Sequence, residues 1–173
     1  MSHARQQIRE AIESALSGIA GVTVFSSRQT EKYDEANLPA ITINTLTERL
    51  LADSQSINDL ESDRELILTI EIRGKEITGI DDALDDIAVS IEDILGAGET
   101  WDIDGIGGGG GGPGPGNGPG PGPSDGAGWL KFIQLQGTDV EIDDGSLDRP
   151  VGLMTLTYVL VYRVSSADVE TIL

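Results

Sequence analysis

Between Gly107 and Gly128 this chain cannot build a packed core, because the 22-residue stretch carries thirteen glycines and five prolines. Glycine makes a helix there too costly in entropy, and proline removes the donors that a strand ladder needs. The remaining 173 − 22 = 151 residues fit one domain of ordinary size, with residues 107–128 as an inserted loop. As a flexible coil the insert spans about 26 Å, and as an extended polyproline-like strand roughly 70 Å. Either length exceeds a hairpin turn. The insert therefore reads as a solvated loop, as a linker, or as a loop that becomes ordered on a neighbouring subunit. The chain's two tryptophans, Trp101 and Trp129, bracket it and support the last of these.

Outside the insert the sequence is aliphatic and acidic. Hydrophobic residues make up 38% and aromatics 4%, so the core must be built from Ile, Leu and Val. The net charge is −19, from 11 basic and 30 acidic residues. Binding to nucleic acid needs a basic stripe to displace counterions, and no cluster of Lys or Arg supplies one. An anionic membrane surface is disfavoured for the same reason. With no cysteine, disulfides, thiolate nucleophiles and Cys-ligated zinc are excluded. The start, MSHARQQIREAI, lacks the apolar core of a secretory signal, and no apolar run approaches the ~18 residues of a membrane span. The expectation is a cytoplasm-like compartment, or export inside something larger.

Periodicity places the elements. Ile8, Ala11, Ile12, Ala15, Leu16 and Ile19 recur at helical spacing from Ser2 to Ile19, with Ser2 and Gly18 as caps. A short strand is expected over Val22–Phe25 and another over Ala40–Leu46, after Pro39 has made Leu38 extended. Thr47 to Asp63 is weakly patterned and reads as a long polar excursion. Leu66 to Arg73 alternates cleanly, as a strand does. Ile80, Leu84, Ile87, Ile91 and Ile94 then mark a second helix. Thr78 and Asp81 fit a capping pattern at its start, acidic residues fill its first turns, and Gly96 stops it. Leu130 to Ile142 reads as one or two strands broken near Gly137. In Leu153–Val164 both faces are largely apolar, which predicts a central strand. The order implies an α+β domain: a mixed, mostly antiparallel sheet with two helices on one face.

No constellation for catalysis emerges. His3, the single histidine, stands near the N-terminus without nucleophile partners, so a Ser-His-Asp or Cys-His arrangement is ruled out. The glycine run matches GxGxxG but lacks the strand-turn-helix context and the Gly-Lys-Ser/Thr of a phosphate loop. Asp81, Asp82, Asp85 and Asp86 suit a solvated, dipole-compensating helix face, with nothing nearby to separate their pKa values. Asp139, Glu141, Asp143 and Asp144 imitate a calcium loop, but the required glycine falls one residue late at Gly145 and the twelfth position is Pro150. A polar turn is the better reading, and no cofactor is expected. Binding to proteins remains.

The helix IREAIESALSGI, a strand leading to SSR, YDEANLPAITINTL, a polar excursion, DRELILTIEIRG, the helix DDALDDIAVSIEDIL and the closing GLMTLTYVLVYRV together resemble the lambda-type tail-terminator proteins of long-tailed phages. YDEANLPAI before a strand and the closing LTYVLVYRV carry most of the resemblance. It covers nearly the whole chain except residues 100–128, the insert being the departure. It implies a homohexameric ring that docks on the last ring of the tail tube protein, stops polymerisation and offers a surface to the head-tail connector protein. Genomic DNA would pass through the lumen without specific binding.

A closed ring needs a heterologous interface. On this reading the excursion, with Thr47, Glu48, Arg49, Asp53, Asp59, Asp63 and Arg64, orders on the tube. Some of the scarce cations Arg28, Arg49, Arg64, Arg73, Arg149 and Arg163 are expected in ion pairs, the others as ordinary surface charges, and Trp101 and Trp129 lie at an interface. The alternatives are a head-tail connector or completion protein and, from another class, a small-molecule-binding α+β domain.

Overall fold

The computed structural model describes residues 4–26, 35–51, 61–75, 79–96, 129–143 and 151–165. The insert at 107–128, the caps Ser2 and Thr78, and Trp101 lie outside them. The elements are α1 (Ala4–Leu16), β1 (Thr23–Phe25), β2 (Ala40–Leu50), β3 (Glu61–Lys75), α2 (Ile80–Gly96), β4 (Trp129–Asp143) and β5 (Val151–Ser165), with a short 3-10 turn at Glu35–Asn37. The strands form one sheet in the order β1-β2-β3-β5-β4. Only the pair β1-β2 is parallel; β2-β3, β3-β5 and β5-β4 are antiparallel. The fold class is therefore α+β, as the element order implied, and β5 sits inside the sheet as its two apolar faces required.

Both helices pack on the same face. In α1, Ile8, Ile12 and Leu16 are fully buried, one helical turn apart, and they meet Ile41 and Ile43 of β2. In α2, Ile80, Leu84, Ala88, Ile91 and Leu95 form the buried stripe, set over β3 and β5. Leu66, Leu68, Ile70 and Ile72 of β3 and Met154, Leu156, Tyr158, Leu160 and Tyr162 of β5 point up to them. Each such Leu or Ile contributes about 1.5–3 kcal/mol by leaving water.

Two glycines set the seat of α2. Gly74 and Gly152 are direct cross-strand partners. A Cβ at Gly152 would lie 2.7 Å from Leu84 Cδ1 and 2.8 Å from Ile80 Cγ1, and one at Gly74 would lie 3.1 Å from Ile80 Cδ1. Their bare backbone is what lets the first turns of α2 approach the sheet. Gly79, with φ +74°, turns the chain into the helix, and its carbonyl accepts the Ala83 amide at 3.1 Å.

Two expectations need correction, and a third is narrowed. The polar excursion from Thr47 to Asp63 is strand at both of its ends: β2 continues to Leu50 and β3 begins at Glu61, with residues 52–60 outside the described residues. The charges that hid these strands neutralise one another across the pair. Of the two forms expected for Leu130–Ile142, one strand or two, the structure has one, because register shifts at Leu130/Phe132 and Leu135/Gly137 absorb the irregularity as bulges. Asp139 to Asp143 lies in that strand, not in a polar turn.

Candidate assembly interface

At the far end of the sheet from Gly74, polar groups replace the aliphatic core. Arg5 of α1 donates to the Thr45 carbonyl and hydroxyl, each at 3.3 Å, and Arg9 donates to the same hydroxyl at 2.8 Å. Glu48 of β2 pairs with Arg64 of β3 and stands 3.8 Å from Arg5. Glu48 and Arg64 are largely shielded, so their pairing is less screened than a surface ion pair. Tyr162 is fully buried beside them, and its hydroxyl makes no well-formed hydrogen bond among the described residues. Burial first, and then the nearby charge of Glu48, raise the Tyr162 pKa. Further along β5, burial and then the charge of Glu92 push Tyr158 up to about 12.

The opposite face of the sheet has no described helix on it. Arg163 donates to Asp63 at 2.8 and 3.4 Å, directly across the β3-β5 pair. Arg49 meets Glu65 at 2.7 Å, directly across β2-β3, and this contact raises the pKa of the exposed guanidinium. Asn44 donates to Glu71 at 3.1 Å, and Arg73 reaches the same carboxylate at 3.3 Å. The expectation that the scarce arginines enter ion pairs holds for Arg49, Arg64, Arg73 and Arg163.

The candidate interface residues thus separate. Thr47 and Arg49 are exposed on β2. Glu48, Arg64 and Arg73 are half-buried in ion pairs, and Asp63 is buried against Arg163. Trp129 opens β4. Arg28, Asp53, Asp59, Trp101 and Arg149 lie outside the described residues.

Among the described residues, both sides of the sheet end in backbone without a strand partner. β1 pairs only with Ala40, Ile41 and Thr42, so from Ile43 to Leu50 the outer edge of β2 has no strand partner among the described residues. The outer edge of β4 has none along its 15 residues. Large apolar side chains stand exposed on both strands: Leu46 (44%) and Leu50 (50%) on β2, Phe132 (48%), Val140 (48%) and Ile142 (40%) on β4. Of β4, sequence reasoning named only Trp129 as an interface residue and missed the rest of the strand. The signal was present in Asp139-Val140-Glu141-Ile142-Asp143, whose strict acid-apolar alternation is the period of a strand.

No protein-family model matches this chain, and no curated protein is significantly similar to it. No described helix is long and apolar enough to cross a membrane.

Proposed function

We propose that this chain is a structural subunit of a phage tail that closes into a ring on the end of the tail tube, stops tube polymerisation and provides the head-tail joining surface. The observation that carries the reading is the long outer edge of β4, with Phe132, Val140 and Ile142 exposed along it. A monomer protects such an edge, since it is a template for pairing with another chain. A ring uses it. The element order, with two helices on one face of a mostly antiparallel sheet, agrees with the tail-terminator resemblance carried by YDEANLPAI and LTYVLVYRV. In a hexamer the formal charge is 6 × (−19) = −114, and a negative lumen lets DNA slide through by repelling its phosphates.

Adding the chain to polymerising tail tube protein is expected to shorten the tubes and cap one end, as read by negative-stain electron microscopy. Tubes of unchanged length, together with binding to the portal side of the neck, would move the protein to the head-tail connector class. Native mass spectrometry that shows a strict monomer, alone and with tube protein, would remove the ring.

A further inference from the structure

We infer that the ring interface is a continued β-sheet, in which the Asp139–Asp143 half of β4 pairs antiparallel with the Thr45–Leu50 edge of β2 in the next copy. The inference rests on the ring reading and specifies its joint. Direction fits: β2, β3, β5 and β4 alternate, so β4 runs antiparallel to β2 and meets the next copy's β2 in the same sense as every other pair between these strands.

Side chains fit on both faces. Register puts Val140 and Ile142 opposite Met154 and Gly152, on the face that carries the helices, and Leu50 opposite Arg64 on that same face. Asp139 and Glu141 lie opposite Thr155 and Leu153 on the other face, which is also the face of Arg49. When the sheet continues from copy to copy with its faces preserved and Asp139 set opposite Arg49, Val140 stands diagonal to Leu50 and directly opposite Glu48. The carboxylates then meet the exposed guanidinium. Asp139 and Glu141 are exposed and form no ion pair among the described residues.

The stagger fits as well. Arg49 is level with Glu65 of β3 and Asp139 is level with Glu71, so bringing them together slides one copy six residues along its neighbour. Six residues amount to about 20 Å, across four strands that span about 19 Å. The resulting tilt of roughly 45° is at the upper end of the range found in closed barrels. Without this slide the Asp139–Asp143 half of β4 would run into β1, which occupies the edge of β2 at Ala40–Thr42.

The test uses the full chain in size-exclusion chromatography with light scattering and in native mass spectrometry. The variants are Asp139→Arg with Glu141→Arg, Arg49→Glu, and Ile142→Glu, each checked for native circular dichroism. Each alone is expected to be monomeric at concentrations where the unmodified chain is a ring, a loss of at least tenfold in assembly. An equimolar mixture of the Asp139→Arg/Glu141→Arg and Arg49→Glu chains restores every joint and is expected to reassemble. Rings that persist in the single variants, or a mixture that stays monomeric, would overturn this joint and leave the ring reading standing. An unmodified chain that is monomeric with and without tube protein would overturn the ring itself.

Discussion

Under the first turns of α2 the sheet meets its helix through two glycines and aliphatic side chains, whereas under the first turns of α1 it meets its helix through arginines. One seat is shaped by volume and the other by charge. The first must respond to a single added methyl group and ignore salt. The second must tolerate changes of volume and respond to the loss of one carboxylate.

Leu84→Ala is expected to separate the two most strongly, since Leu84 is fully buried over both seat glycines. The cost should be about 2–5 kcal/mol in urea unfolding, largely insensitive to salt. Gly152→Ala comes next, at about 1–3 kcal/mol, because its Cβ meets Ile80 and Leu84 well inside contact distance. Gly137→Ala is its control: nothing lies within 4 Å of a Cβ there, and the change should stay within about 0.5 kcal/mol. If both alanines cost the same, the seat is not set by volume.

On the charged side, Glu48→Gln leaves the shielded Arg64 without its carboxylate and is expected to cost about 1–3 kcal/mol. The loss should shrink in 1 M salt, where Leu84→Ala does not change. Tyr158→Phe should have the smallest effect. The Tyr158 hydroxyl is buried without a hydrogen-bond partner among the described residues, so its removal should shift stability by no more than about 1 kcal/mol, toward greater stability. Its signature is in the pH dependence. The folded-state pKa of Tyr158 is raised from 10.0 to about 12, so an unfolded chain loses the proton first. The stability it contributes is complete below pH 10 and falls as pH rises toward 12. Thermal melts between pH 9 and 12 should show a shallower decline in the phenylalanine variant.

The contrast also explains what could be read in the sequence. Where burial is aliphatic, period and position coincide: Ile80 to Gly96 is a helix as its spacing predicts, and Leu153–Val164 is an inner strand. Where charges pair across strands, pattern conceals structure. Glu48, Arg49, Arg64 and Glu65 read as a polar excursion because each finds its partner about sixteen positions away, in the other strand of the hairpin. Arg5 and Arg9 carried no local sign that they reach Thr45, some forty positions on. Gly137 read as a strand break, although its neighbours accommodate the extra residue as a bulge. The edges of β4 and β2 were illegible for a further reason. Openness is a property of strand order, and strand order depends on how short β1 turns out to be.

The paired glycines under α2 also link two places in the gene. Gly74 and Gly152 are 152 − 74 = 78 positions apart in the chain yet face each other beneath one helix. A lineage that enlarges one must shrink Ile80 or Leu84, or keep the other bare. Among diverged relatives these four positions should therefore vary in concert, a correlated signature that remains searchable after pairwise identity has faded.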